Sequence, residues 1–439
     1  MNFRFLPLTL ALSAAFAGSA QAQNLLSLYE TARGYDSTYK AAQSQYTANL
    51  AKGDQAKALL LPTIGIAANM NKTDAELLAA AQTATSQSLT LGLNASHPLY
   101  RPANTASYQQ GMRQLALAGV QLKAAEQDLM VRLSQAYFDV LISRESLEFV
   151  RAQKVAVAEQ LAAAKRNFEV GTSTITDTRE AQARYDLVLA QEIAADNDLR
   201  IKRLALNQLV GLTNIEPKSL SSQAKLSAPD LQSLDQWVQQ SSASSPSVLQ
   251  SRAALDIAKL ETSKAEAGHK PTLDLVAGFT PARYKNGKGI NASQIDSNTT
   301  SVTLALNVPL FAGFATQNRI KETVALEDKA RSDLEAAERG VAQATRTAFY
   351  GLLSGLGQVN ALQAAEASSQ SALDANKLGY QVGVRINIDV LNSQSQLFQT
   401  KRDLAKARYD VLLGQLKLRQ AAGTLVETDL ASINALLNP

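Results

Sequence analysis

Residues 62–69 read PTIGIAAN and residues 271–278 read PTLDLVAG; residues 88–94 read SLTLGLN and residues 301–307 read SVTLALN; residues 168–177 read FEVGTSTITD and residues 380–389 read YQVGVRINID. The three pairs lie in the same order, with offsets of 209, 213 and 212 residues. Near-constant spacing over so long a period marks a duplicated structural unit, because solenoid repeats recur every 20–45 residues, as a rough range. The predicted divisions are a leader at 1–22, a first copy at 23–215, an insert at 216–245, a second copy at 246–425 and a short C-terminal segment at 426–439. Whatever one copy builds, the chain builds twice.

Each copy carries two stretches with a period of two. Ile64, Ile66, Ala68 and Met70 alternate with Gly65, Ala67 and Asn69, and Leu89, Leu91, Leu93 and Ala95 alternate with Ser88, Thr90, Gly92 and Asn94. In the second copy Leu273, Leu275, Ala277 and Phe279 form one such series, and Val302, Leu304, Leu306, Val308 and Leu310 another. One apolar face on a period of two is a strand between unlike environments. Two β-hairpins are therefore expected, at about 62–100 and 271–311, with polar loops at 71–87 and 280–300. Strands of about 9–11 residues suffice to cross a bilayer when tilted. A soluble hairpin with one face on a core is the competing reading.

Between the hairpins the pattern is helical. From Pro102 to Phe168 there is no further proline, and Pro102 suits the first helical position. One helix of that length would run for about 100 Å. The second copy matches from about Ala315 to Tyr380. Leu129, Leu133, Ala136, Val140, Ser143, Leu147 and Val150 step by threes and fours, as do Leu334, Ala337, Val341, Ala344, Ala348, Gly351, Gly355, Gln358 and Leu362. These are heptads with many small residues, suited to close helix approach. The long helices end at Val170–Gly171 and Val382–Gly383, where glycine fits the left-handed position beyond a helix C-terminus. Return helices are expected from near Asp177 and Asp389, leaving tips at 171–176 and 383–388. Asp177 also suits an N-cap, with Glu180 three residues on. The fold class is thus mainly α with a membrane β-barrel portion: four strands per chain plus long coiled-coil helices.

Several classes are excluded. Arg4, the apolar run 6–17 and Ala20-Gln21-Ala22 read as a cleavable export signal, with the mature chain beginning at Gln23. There is no cysteine, so stability must come from burial or oligomerisation, and there is no thiol to acylate. No later stretch has the length and apolarity of a transmembrane helix, so a membrane crossing requires a closed barrel. A formal charge of +4 is too small to indicate nucleic acid. Two histidines, His97 and His269, and no nucleophile elbow, phosphate loop or metal spacing speak against an enzyme, a cofactor or a metal. Residues 216–245, with Pro217, Pro229, a serine run and the sole tryptophan, Trp237, interrupt the coiled coil and are expected to pack on the outside of the helices.

Four strands cannot close a barrel, and an open edge is not tolerated in lipid. Two chains would supply eight strands and three would supply twelve, enough for a lumen.

The two-copy plan together with PTLDL (271–275), FEVG and ITD (168–177), YQVGVRINIDVLN (380–392) and ARYDVLLGQLKLRQAAGTL (407–425) resembles the TolC family of outer-membrane efflux and secretion ducts, over nearly the whole chain. The resemblance implies a homotrimer with a twelve-stranded barrel in outer-membrane lipid and a periplasmic α-barrel. It implies an exit duct opened by a periplasmic adaptor and an inner-membrane pump of RND or ABC type. It places Asp389 in the pore constriction, with Asn392 at the position where the family usually has a second aspartate. The constriction ring would then carry half the usual charge. It makes Thr176 and Asp177 latch acceptors, Tyr380 and Arg385 latch donors, and the tips around Val170, Gly171, Val382 and Gly383 the adaptor contacts. The alternative from a different class is a periplasm-spanning trimeric coiled-coil tether or adhesin, which would need no lipid-facing strands.

Overall fold

A computed structural model describes residues 24–77, 82–221, 233–286 and 294–437. The expected leader at 1–22 lies outside them, as do parts of the hairpin loops and of the insert. Nine α-helices and four strands are seen among the described residues. They are α1 (Leu25–Tyr35), α2 (Ser37–Ala58), β1 (Thr63–Leu77), β2 (Gln82–Tyr100), α3 (Pro102–Glu169), α4 (Ile175–Val210), α5 (Leu234–Ser244), α6 (Pro246–Glu266), β3 (Thr272–Asn286), β4 (Gln294–Asn307), α7 (Ala315–Gln381), α8 (Asn387–Ala421) and α9 (Glu427–Asn434). They form two compact units, and each takes the same part of both sequence copies: one unit gathers residues up to 42, 123–246 and 339–439, the other 43–122 and 247–338.

In the second unit the strands form one antiparallel sheet in the order β1-β2-β3-β4. The strands are longer than expected. The polar segments read as loops at 71–87 and 280–300 largely continue the ladder, from Asn71↔Ser88 to Leu77↔Gln82 in one hairpin and from Thr280↔Thr299 to Lys285↔Gln294 in the other. A strand with polar side chains on both faces pairs as well as an amphipathic one where both faces meet water, since backbone bonds build the ladder. Pro281 leaves its mark: the β2–β3 register passes from Thr90↔Ala282 to Leu93↔Phe279 with the residues between unpaired, as the missing N–H requires.

In the first unit the long helices pack as heptads. In α7 the buried line is Thr345, Leu352, Val359 and Leu373; in α8 it is Val390, Leu397, Leu404, Val411 and Leu418. Both advance in steps of seven or fourteen, the seam of a left-handed antiparallel coiled coil. Leu352 and Val359 pack with Leu404, Val411 and Leu418, and Leu373 with Val390 and Leu397. Of the α7 stripe expected from small residues, Ala348 and Leu362 pack against the first of these clusters and Gly355 is half-buried, whereas Ala344, Gly351 and Gln358 are exposed, because Thr345, Leu352 and Val359 one position on take the inner places. The α3 stripe holds at Leu129, Leu133, Val140, Ser143, Leu147 and Val150, with Ala136 half-buried.

The described part of the insert packs through one aromatic side chain. Trp237 of α5 is only 6% exposed and joins the α7–α8 cluster with Leu404, Ala407 and Val411. The flanking segments tie together at Leu220↔Leu437, at the Ser221 N–H donating to the Leu436 carbonyl (3.0 Å), and at the Leu25 N–H donating to Asn434 Oδ1 (3.0 Å).

Candidate functional site

Two surfaces carry the functional chemistry, and each belongs to one unit. The first is the sheet. Directly paired residues share a face, so the register extends the alternation across all four strands. Ile64, Ala95, Ala277 and Val302 form one row, and Ile66, Leu93, Phe279 and Thr300 the next. Leu275 with Leu304 and Leu273 with Leu306 continue the same face. The opposite face carries Gly65, Asn94, Gly278 and Ser301, and further along Asn69, Thr90, Ala282 and Ser297. The apolar face has no protein cover: Ile64 is 74%, Ile66 75% and Val302 73% exposed. A soluble hairpin would bury this face on a core, and among the described residues no core covers it. The band ends at an exposed cross-strand ion pair, Arg283 with Asp296 (3.2 Å). From Leu273 to Arg283 the strand rises about 33 Å, or about 25 Å in height at the usual tilt, which is the thickness of the apolar belt of a membrane barrel.

The second surface is the pair of helical tips. At each, glycine takes the left-handed conformation, Gly171 at φ 76° and Gly383 at φ 81°. Paired backbone bonds close each turn: Thr172 N–H to Asn167 O (2.8 Å) with Gly171 N–H to Phe168 O (3.0 Å), and Val384 N–H to Gly379 O (2.9 Å) with Gly383 N–H to Tyr380 O (3.2 Å). This is the Schellman closure that a C-terminal glycine permits. Val170, Val382, Val384 and Ile386 stand exposed around the turns.

The return helices begin two residues earlier than expected, at Ile175 and Asn387. Thr174, and not Asp177, is the N-cap of α4: its hydroxyl accepts from the Asp177 N–H (3.2 Å), while Asp177 Oδ2 accepts from the Thr174 N–H (3.0 Å) in a reciprocal capping box. Burial raises the Asp177 pKa, but the bonds from the Ser173 hydroxyl and from the Thr174 amide and hydroxyl outweigh it and hold the carboxyl below its ordinary range.

The expected latch partners lie on different hairpins, Thr176 and Asp177 on one and Tyr380 and Arg385 on the other, and they are differently engaged. The Tyr380 hydroxyl accepts from Asn167 Nδ2 (3.2 Å). Arg385 lies against Gly379 and faces Asp389 one turn on, Nη1 to Oδ2 at 3.8 Å. Thr176 is exposed, and the Asp177 carboxylate is occupied by its own turn. Within the described chain, neither Tyr380 nor Arg385 donates to Thr176 or Asp177. The two hairpins are joined by other groups: Gln160 to the Asn387 amide oxygen, Asn387 Nδ2 to the Asp177 carbonyl (3.3 Å), and Arg184 Nη2 to Asn392 Oδ1 (2.7 Å). Beneath them Leu391 and Ile388 of α8 pack into a cluster of Val150, Val157, Leu161 and Ala164 from α3 with Ala181 and Val188 from α4.

A family model described as outer membrane efflux protein matches residues 28–212 and 237–424, one match in each sequence copy. The chain belongs to this family. It is 33% identical to outer membrane protein TolC of Vibrio cholerae over 98% of both chains. It is 30% identical to the proteases secretion protein PrtF of Dickeya chrysanthemi, over 98% of this chain and 94% of that protein. The solved structure of the outer-membrane channel OprN superimposes with a TM-score of 0.80 at 16% identity, covering 91% of this chain and 90% of OprN. The outer membrane protein VceC of Vibrio cholerae gives 0.79 at 18%, covering 91% and 96%. The chain is an outer-membrane exit duct.

Family membership leaves the role of each tip residue to be argued from geometry. Gln160, Asn167, Arg184 and Asn387 were missed in the sequence because an amide on a long polar helix gives no periodic signal. One cue existed for Arg184: Asn392 stands where an aspartate was expected, and a cation opposite a lost anion is a natural companion. Among the described residues, no group of three or more His, Asp or Glu side chains could hold a metal.

Proposed function

We propose that the protein works as a homotrimeric, passively conducting duct with a gated periplasmic end, docking at its tips with a periplasmic adaptor and drawing its energy from an inner-membrane pump of RND or ABC type. The observation that carries this reading is the four-stranded sheet with a lipid-suited face and, among the described residues, no partner on the outer edges of β1 and β4. Unpaired edges in lipid are costly enough to demand closure. Three copies supply twelve strands, which leaves a lumen where eight would be filled by side chains. The polar face then lines the lumen.

Asp389 and Asn392 of α8 form the constriction. The exposed valines of the tips, Val170 and Val382 beside Gly171 and Gly383, offer the adaptor an apolar contact. The gate is the docking of the α7–α8 hairpin on the α3–α4 hairpin, with Tyr380, Arg385, Thr176 and Asp177 at its rim. Similarity to both efflux and protease-secretion proteins supports a cargo of small molecules or exported polypeptide. A tether or adhesin has no use for the apolar sheet face. The test is the mass of the detergent-solubilised protein by light scattering together with bilayer insertion. Three chains per particle and stable insertion are expected. A monomer that stays in solution without detergent would refute the reading.

A further inference from the structure

The first unit contains a cavity of about 410 Å³ between α3, α4 and α8, lined among others by Gln153, Arg184, Gln191, Asn392, Gln399 and Arg402. Its charge is unusual for this chain. Several half-buried cations elsewhere in the unit meet carboxylates: Arg132 meets Asp36, Lys154 meets Glu192, Lys202 meets Asp139 and Arg419 meets Asp429. Here two guanidiniums face one cavity that no acidic side chain lines. Arg184 donates only to the Asn392 amide oxygen (2.7 Å), and Arg402 to Gln399 (2.7 Å) and Gln153 (3.4 Å). Among the described residues neither has a carboxylate within ion-pair distance, and Asp403, which acts on Arg402 through space, accepts from Gln399 instead.

Desolvating a cation without a counter-charge is unfavourable, and two cations at one cavity repel each other as well. A guest that brings negative charge and several acceptor oxygens removes both penalties, because a guanidinium offers planar paired donors that match an oxyanion. The surrounding amides supply further donors without adding charge. We infer that this cavity is an anion site, built to take a small oxyanion group: phosphate, or the carboxylate of an organic solute. The inference stands apart from the duct reading, since it requires only the cavity and its charge. If Asn392 also lines the constriction, the site places an anion-attracting pocket beside Asp389, and the narrowest region then handles both signs of charge.

The test is isothermal titration of the full-length protein in detergent, with inorganic phosphate and with benzoate against a chloride background. Saturable binding of either is expected, weakened at least tenfold by Arg184→Gln and by Arg402→Gln and unchanged by Arg200→Gln, an exposed arginine outside the cavity. Arg184 makes no ion pair, so its substitution leaves a folded protein even if loss of the more buried Arg402 does not; unaltered thermal unfolding of Arg184→Gln checks this. Stronger binding of phosphate identifies a site for a free ion, and stronger binding of benzoate a site for a carboxylate-bearing solute. No saturable binding by the native protein, as when a carboxylate of a neighbouring copy already fills the cavity, would overturn the inference. So would binding that Arg184→Gln leaves unchanged.

Discussion

Replacing Leu391 with alanine should release the helical tip more than any loss of a polar contact at its rim. Leu391 is 0% exposed and sits where α8 meets α3 and α4. Truncating a fully buried leucine costs about 2–5 kcal/mol, the transfer of the lost atoms plus the cavity left behind. At about 1.4 kcal/mol per decade, a mid-range loss of ~3 kcal/mol lowers the ratio of docked to undocked hairpin by roughly a hundredfold. Tyr380→Phe removes one hydrogen bond, from Asn167 at 3.2 Å. Such a bond is worth about 1 kcal/mol net, or roughly fivefold. The apolar cluster therefore governs the docked state and the polar rim adjusts it. Amide hydrogen exchange over 165–177 and 383–395 reads local opening free energies directly. Exchange should accelerate by about two decades in Leu391→Ala and by less than one in Tyr380→Phe. If the tyrosine variant opens as far as the leucine variant, or if Leu391→Ala leaves the tips protected, the assignment of the closing energy to this cluster is wrong.

Other consequences are open to measurement. Trp237→Ala should lower stability by about 3–5 kcal/mol, seen as an earlier thermal transition, because the ring fills the α7–α8 cluster from α5. Gly423→Ala should be severely destabilising: Gly423 has φ 72°, and an added Cβ would lie 2.2 Å from the Ser244 carbonyl oxygen, so the α8 C-terminus and the end of α5 could not keep their approach. Asp36 is pushed up by burial but held lower overall by the Arg132 guanidinium and the Tyr39 and Thr38 amides. A depressed carboxyl stabilises the fold above its unfolded pKa and ceases to do so as the pH falls through the folded value, so acid denaturation should deepen below about pH 4. Arg132→Gln should flatten that acid limb. Asp389→Ala should reduce the cation preference of the pore, read as a shift in reversal potential under a salt gradient.

How much of this was legible in the sequence follows from how each feature is encoded. The strands and long helices show themselves through period and punctuation: Leu89-x-Leu91-x-Leu93 can be little but a strand, and Gly171 and Gly383 mark turns that only glycine makes without strain. Strand ends were not legible, because residues such as Thr73, Thr85 and Ser86 pair as readily as they loop, and only the ladder decides. Part of the α7 heptad was not legible, because alanine, glycine and glutamine at 344, 351 and 358 suggest a seam that Thr345, Leu352 and Val359 one position on in fact occupy. At the tips the backbone turns could be foreseen and the side-chain partners could not. A helix boundary two residues earlier makes Asp177 the far member of a capping box, and Arg385 is aimed at Asp389 by the turn at Gly379–Gly383. Contacts between elements two hundred residues apart, such as Arg184 with Asn392 or Gln160 with Asn387, exist only once the hairpins dock.

The central claim is that this chain assembles into a conducting, gated pore. Single-channel recording of the purified protein in a planar bilayer tests it most directly. A small, discrete conductance is expected, rising when Leu391→Ala loosens the tip. A correctly folded assembly that inserts stably but passes no ion current, in the native form and in Leu391→Ala alike, would contradict it.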